Sequence, residues 1–502
     1  MPKLKVRTAT APTGHADAGA HTPRARLQIF GSMLLLAIAL LWPAIVQQRP
    51  AYFFDSASYL STGTKAFAIA RDKIAAKLAP ASATSAVVAH APAAPRVNNV
   101  VSIRAIAYSL FAAATSAPGD RLHVLIAVNA LVVTLLIWAF WRIRAPRASP
   151  RDEALAALFV ATATSAPWFV SYAMPDIFAG AAILALLILT FAPLHRQRVA
   201  RAAVASVVTF AVAAHASHIP IIGLVVAAAV AELLFERWRG TARWSWGRLA
   251  WVVVPFIAGL VLVLALSFAS FGSASVAPKR LPFALAKSID DGPGNWYLKA
   301  TCPEEHWAVC PFFARTGGGG PELIFSDGGL VKTATPAEME AVRNEEMTIV
   351  RNATRAYPWV QIRSAIANSV TQFFRFGLED NSFGYVIVQL PSGEFRTRAA
   401  PERVDLRPVG QVMVYGGVAV ALGYIAAIAR SLTAVEWGTL RLMLAGLVAN
   451  AMVTGALSSI TSRYQSRVIW VVPVVALGLW LARRSPLPQA TESAAAASPA
   501  QR

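Results

Sequence analysis

Long apolar runs constrain this chain more than any other feature. The segments 27–46, 122–141, 154–172, 177–193, 202–214, 219–235, 249–271, 411–429, 442–459 and 468–481 are predominantly apolar. Most reach the roughly 17 to 24 residues that a helix needs to cross the hydrocarbon core of a bilayer. Only 14% of residues are charged and 56% are hydrophobic, against about 25% charged in soluble globular chains. The expected fold is an all-α polytopic membrane protein with about ten transmembrane helices, and neither a soluble domain nor a fibrous repeat.

The run 27–46 follows a polar stretch carrying Lys3, Lys5, Arg7, Arg24 and Arg26. That stretch is long for a signal peptide and no clear small-residue cleavage site follows, so the run is read as an uncleaved first span. The stretch 202–235 is too long for one ordinary span and short for two. His215, Ser217, His218 and Pro220 interrupt it, which predicts a tight pair of short helices.

The formal charge is +20, from 46 Lys and Arg against 26 Asp and Glu. A basic balance can mark a nucleic-acid binder, but here many arginines sit in the short connections 142–153, 195–201 and 236–248, whereas 174–176 and 215–218 hold no Lys or Arg. That is the positive-inside pattern, which argues against nucleic acid and places both termini in the cytoplasm. The expected organisation is a disordered cytoplasmic tail over 1–26, a membrane module over 27–271 with a first outside loop at 47–121, an α-rich extracytoplasmic insertion over 272–409, a second membrane module over 410–484, and a disordered cytoplasmic tail over 485–502. In the outside loop, 56–78 and 103–114 have helical apolar spacing and are expected to lie along the membrane surface. The Ala-, Pro- and Ser-rich stretch 80–97 between them is read as a mobile loop.

The insertion carries turn signals at Asp291-Gly292-Pro293-Gly294, at glycines 317–320 and at Asp327-Gly328-Gly329, and a helix is predicted over 336–356. The glycines 317–320 are not a phosphate-binding loop, because no Gly-Lys-Ser/Thr follows them. Cys302 and Cys310, the chain's two cysteines, fall on the outside and close a short loop, so a disulfide staple is expected rather than redox chemistry or zinc binding.

Ionisable residues at the outer ends of spans are the informative ones, because a carboxylate near a membrane is costly unless solvated, paired or used. Asp55, in Tyr52-Phe53-Phe54-Asp55-Ser56-Ala57-Ser58-Tyr59, could accept a proton from an attacking hydroxyl; as a residue ahead of a helical run it could equally be an N-cap. Asp176, in Met174-Pro175-Asp176-Ile177, also opens a helix and on its own favours capping. Both acids nevertheless fall at the same membrane face. Arg463 and Arg467, in Ser462-Arg463-Tyr464-Gln465-Ser466-Arg467, stand outside against the positive-inside bias. That favours a specific anion, bound by planar guanidinium, over snorkelling to headgroups. His215 and His218 either bind a ligand or solvate the break between two helices.

In order, compartment and spacing these positions resemble the GT-C superfamily, membrane glycosyltransferases that use polyprenyl-phosphate-linked sugars. The resemblance rests on Asp55-Ser56 with Tyr59 in the first outside loop, Pro175-Asp176 at the outer end of the third span, and Arg463-Tyr464 before the last one. It departs at Ser462, where relatives often carry an acid. The insertion is similar to no catalytic domain, and its Asp290-Asp291-Gly292-Pro293-Gly294 and Cys302-Pro303-Glu304 look like signatures of a narrower bacterial family of unassigned function. The resemblance implies sugar transfer on the outer face of a bacterial inner membrane, from a polyprenyl phosphate to a glycan, lipid or protein acceptor. In that reading Asp55 is the catalytic base, Asp176 positions the acceptor or a metal, and Arg463, Tyr464, Arg467, His215, His218 and Tyr59 bind substrate. Mg²⁺ or Mn²⁺ is compatible with two carboxylates but not required. The rival class, a transporter or flippase of a lipid-linked saccharide, is usually marked by an internal repeat of spans or by paired broken helices; one broken stretch is present, at 214–220, without a matching second.

Overall fold

The computed structural model describes residues 23–78, 104–116, 122–192, 197–240, 245–277 and 279–485. The expected tails, apart from residues 23–26 and 485, and the loop 80–97 lie outside the described residues. The first module holds helices α1 (Pro23–Ala39), α2 (Trp42–Gln47), α3 (Phe54–Leu78), α4 (Ile106–Ala114), α5 (His123–Arg144), α6 (Pro150–Ala163), α7 (Ala166–Val170), α8 (Ile177–Phe191), α9 (Arg198–Ala214), α10 (His218–Trp238) and α11 (Trp246–Phe271). The insertion follows with α12 (Phe283–Asp290), α13 (Pro293–Thr301), α14 (Cys310–Arg315), α15 (Gly320–Phe325), α16 (Leu330–Thr333), α17 (Pro336–Ala356), α18 (Pro358–Phe374), β1 (Tyr385–Gln389) and β2 (Phe395–Ala399). The chain closes with α19 (Arg407–Ile428), α20 (Ala434–Leu457), α21 (Ser462–Ile469) and α22 (Val471–Arg484).

Among the described residues six helical segments are long and apolar enough to cross a membrane: His123–Arg144, His218–Trp238, Trp246–Phe271, Arg407–Ser431, Ala434–Leu457 and Ser462–Arg484. The protein is a multi-pass all-α membrane protein. The four other expected spans fall on shorter helices: α1 and α9 have 17 residues, α8 has 15, and α6 has 14 before a bend leads into α7.

Helix α8 organises the bundle. Every residue from Ile177 to Thr190 is buried, as expected for a helix apolar on all sides, and it is surrounded by α5, α9, α10, α11, α20 and α21. Its small residues permit this close approach. A Cβ at Gly180 would come within 2.7 Å of the Arg467 carbonyl oxygen and 2.6 Å of the Trp470 indole nitrogen. The outer helices are one-sided. Helix α11 buries Val252, Pro255, Gly259 and Ser267 and exposes Val254, Ile257, Val261 and Phe268.

The two ends of the bundle differ in chemistry. At one end Arg142 pairs with Glu153 at 2.9 Å, Arg484 with Asp152 at 3.3 Å, Arg483 with Glu436 at 3.1 Å and Arg248 with Glu236 at 3.0 Å. This end gathers the arginine-rich connections. Asp176 begins α8 at the other end, about 20 Å away at 1.5 Å per residue.

The insertion has its own core of Leu285, Ile289, Leu298, Phe312, Leu323, Met339, Val342 and Ile349 among others, and Cys302 and Cys310 are joined by a disulfide. A capping box between Thr335 and Glu338 starts α17. The Asp290-Asp291 pair serves this architecture. Asp290 accepts from the Gly320 amide at 2.9 Å, while Asp291 takes Lys287 at 2.7 Å, Asn368 at 2.9 Å and Gln361 at 3.2 Å. The all-α expectation is corrected at one point, the antiparallel hairpin β1–β2. Its β-branched residues Val386, Ile387, Val388 and Thr397 and a turn with Gly393 in the left-handed region (φ +81°) suit strands.

Candidate functional site

A backbone bridge brings the two acid-bearing segments together. The Ala51 amide donates to the Ser171 carbonyl and the Ala173 amide to the Ala51 carbonyl, both at 2.8 Å. The segment entering α3 therefore runs beside the one entering α8, and Asp55 and Asp176 share one end of the bundle.

Asp176 does not cap its helix: it has helical backbone angles and makes no side-chain cap bond. Its buried carboxylate instead faces two arginines from α21, with Oδ1 3.3 Å from Arg467 Nη1 and 3.7 Å from Arg463 Nε. Arg463 and Arg467 are four residues apart, so one turn of helix sets both on the same face.

The two guanidiniums have different surroundings. Arg467, 1% exposed, also donates through Nε at 3.2 Å and Nη2 at 3.0 Å to Asn450 Oδ1. Asn450 in turn donates to the Tyr464 carbonyl at 2.7 Å and to Gln465 Oε1 at 2.9 Å. Arg467 is thus locked between α8 and α20. Arg463 lies 4.1 Å over the Phe53 ring and 5.4 Å from the Tyr464 ring centre. Its Nη1 is buried without a hydrogen-bond partner. Tyr464 also flanks Arg467 at 5.1 Å and lies 3.2 Å from the Ser458 hydroxyl.

Asp55 sits in the first turn of α3, not at the cap position. It pairs with Arg104, and both side chains keep 23% of their surface exposed. It is the more accessible of the two acids. Tyr59, one turn on, is buried with its ring edge-on to Tyr108 at 4.9 Å. It lies in the electrostatic field of Asp55, Arg104, Asp176 and Arg463 at once.

His215 and His218 border the site. Their rings are 5.3 Å apart, and both act electrostatically on Asp176. Their ring bonds are to near neighbours in sequence: His218 Nδ1 reaches back across the break to the Ala211 carbonyl of α9, and His215 Nδ1 meets the Ser217 hydroxyl, both at 2.8 Å. His218 Nε2 is buried without a hydrogen-bond partner.

Several site residues were given no role in the sequence reading: Phe53, Arg104, Asn450, Asp380 and Tyr172, whose side chain is hydrogen-bonded to Arg463. Asn450 carried a usable signal, because an amide inside an apolar span is costly unless bonded. Asp380 reaches in from the insertion, where Oδ2 accepts the Arg463 amide at 3.2 Å. Position 462 holds Ser, and Arg375 donates to its hydroxyl at 3.2 Å, so the insertion brings a carboxylate beside this position that the local sequence lacks.

The residues present do not fit Mg²⁺ or Mn²⁺. The Asp176 carboxylate faces two guanidiniums and Asp55 faces Arg104, and a divalent ion would be repelled by that positive charge. Among the described residues no group of three His, Cys, Asp or Glu side chains could hold a metal ion. No step is therefore assigned to a metal.

The fold and site define a multi-pass membrane protein with a buried acid held by two arginines at one end of its bundle. Compared with known protein families, curated proteins and solved structures, the chain matches none of them.

Proposed function

We propose that the chain is a membrane glycosyltransferase with about ten spans, moving a sugar from a polyprenyl-phosphate donor to a cell-envelope acceptor at the end of the bundle that carries Asp55 and Asp176. The expected setting is the outer face of a bacterial inner membrane. One observation carries this reading: two buried guanidiniums face the Asp176 carboxylate, and the Nη1 of Arg463 is buried without a hydrogen-bond partner. A buried guanidinium N–H left without an acceptor favours an anionic ligand, and a leaving phosphate supplies one.

In this reading the acceptor hydroxyl attacks the anomeric carbon and its proton passes to Asp55, the acid open to solvent. The bond from the anomeric carbon to the phosphate oxygen breaks, and the phosphate keeps the electron pair. Arg463 stabilises that charge. Asp176, Asn450 and Arg467 hold α21 so that Arg463 is aimed correctly; Arg467 is a positioning residue here, not a direct phosphate ligand.

The test uses purified full-length protein with radiolabelled hexosyl and pentosyl polyprenyl phosphates and envelope acceptors. Asp55→Asn is expected to lower transfer by about 10²–10⁴-fold while gel-filtration behaviour and melting stay those of the wild type. Full transfer in Asp55→Asn removes the assigned base. Movement of intact donor across vesicles without transfer, surviving in Asp55→Asn, supports a lipid-linked saccharide carrier instead.

A further inference from the structure

The end of the bundle away from Asp176 holds a second concave site. A cavity of about 620 Å³ lies where the ends of α8, α9, α10, α11 and α20 meet, lined by Phe191, Arg201, Glu232, Phe235, Arg239, Trp437 and others. Four of its lining residues are arginines, Arg201, Arg239, Arg248 and Arg441, against two acids, Glu232 and Glu236.

The charges divide into two sets. Arg441 grips Glu232 with both nitrogens, at 3.0 and 2.5 Å. Arg248 pairs with Glu236 at 3.0 Å and donates to the Thr190 carbonyl at 2.9 Å. These pairs build the floor. Gly438 is part of the fit, because a Cβ there would come within 2.7 Å of Glu232 Oε1. Arg201 and Arg239 differ: among the described residues neither pairs with a carboxylate, and each lies against a ring, Trp251 at 5.4 Å and Phe235 at 5.6 Å. The cavity therefore carries two uncompensated cations in a partly aromatic wall.

We propose that this cavity binds the headgroup of an anionic phospholipid, with its phosphodiester between Arg201 and Arg239 and its glycerol end against Phe191, Phe235 and Trp437. Guanidinium suits phosphate oxygens through paired N–H donors. Basic pockets between membrane helices attract acidic headgroups, because the surface of an anionic leaflet draws cations. The apolar wall and the exposed Trp238 and Trp437 at this end favour a ligand with a lipid body over a free anion. The site stands about 20 Å along α8 from Asp176 and does not depend on the sugar-transfer reading.

The test is lipid add-back to delipidated full-length protein in neutral detergent, read by native mass spectrometry and by melting. The arms are phosphatidylglycerol, phosphatidylcholine and inorganic phosphate. Phosphatidylglycerol is expected to bind and raise the melting temperature, and the Arg201→Gln/Arg239→Gln protein to bind it about 25-fold more weakly, near fivefold for each arginine. The control Arg147→Gln/Arg430→Gln, which removes two exposed arginines outside the cavity, is expected to keep wild-type binding. Equal binding of phosphatidylcholine, equal loss in the control, or stabilisation by inorganic phosphate alone overturns the proposal. Should the double variant fail to fold, Arg239→Gln, at an exposed position, gives the same comparison at about fivefold.

Discussion

Removing the Asp176 carboxylate is the most direct way to challenge the site. The group is 3% exposed and lies 3.3 and 3.7 Å from two guanidiniums that are themselves buried. Asp176→Asn keeps the shape but leaves both cations without their shared counter-charge. Breaking a buried ion pair from one side costs about 3–5 kcal/mol, because the remaining charge stays buried and unpaired. Arg467 retains its two bonds to Asn450, which places the expected cost near ~3 kcal/mol, the lower end of that range. The structure also predicts a rescue. In Asp176→Asn/Arg467→Gln one cation has gone together with the carboxylate, so the double variant is expected to lose less than the sum of the two single losses, by about 1–3 kcal/mol. The measurement is reversible unfolding of the four proteins of this cycle, in detergent or lipid discs, followed by tryptophan fluorescence. Trp470, which donates to the Arg467 carbonyl at 2.9 Å, is one of fourteen tryptophans, so the signal follows global unfolding. Additive losses, or an Asp176→Asn protein as stable as wild type, would show that the acid is solvated and not a counter-ion, and the account of how α21 is held would fall with it.

Three further outcomes follow from the same geometry. Arg104→Gln removes the partner of Asp55 from a partly exposed pair, so stability is expected to change by about 1 kcal/mol or less; a larger loss on thermal melting would show that water does not screen the pair. Gly180→Ala places a methyl against the Arg467 carbonyl and the Trp470 ring, with an expected cost of about 1–3 kcal/mol and loss of transfer, whereas Gly416→Ala, which meets nothing within 4 Å, serves as the neutral control. Cys302→Ser/Cys310→Ser opens a loop spanning a separation of 8 residues, which lowers the stability of the insertion by about 2.5 kcal/mol by the loop-entropy relation; faster limited proteolysis there, without loss at the membrane helices, is the expected readout.

What could be read from the chain depended on the range of the interaction. The long apolar helices and the break at His215 to Ser217 are written in local hydropathy, so α5, α10 and α11 lie close to their expected positions, whereas α20 starts at Ala434, ahead of the apolar run, where a Thr433–Glu436 capping box begins it. Helix α17 begins where Thr335, Pro336 and Glu338 together start a helix. The pairing of Asp55 with Arg104 joins residues 49 apart, and the contact of Asp176 with Arg467 spans 291 positions. No local pattern encodes such meetings. The hairpin β1–β2 lies between: its strands carry alternating and β-branched residues, but its five-residue length offers little contrast against flanking loops.

The insertion is the part whose purpose the sequence left open, and its bonds suggest one. From α18 onward it contacts the arginine helix α21 and the turn before it repeatedly. Gln372 and Thr461 exchange bonds of 2.8 and 3.1 Å, the Ser466 hydroxyl donates to the Gly377 carbonyl at 2.5 Å, and Asp380 receives the Arg463 amide. Helix α21 has eight residues and leads through Trp470 into α22, with which it forms the segment Ser462–Arg484. It is gripped from three sides: by α8 through Asp176, by α20 through Asn450, and by the insertion through Gln372, Gly377 and Asp380. Only the last of these enters from outside the two membrane modules. Asp380 meets the backbone amide of the residue whose guanidinium lies over Phe53, so the insertion belongs to the site as one of its walls.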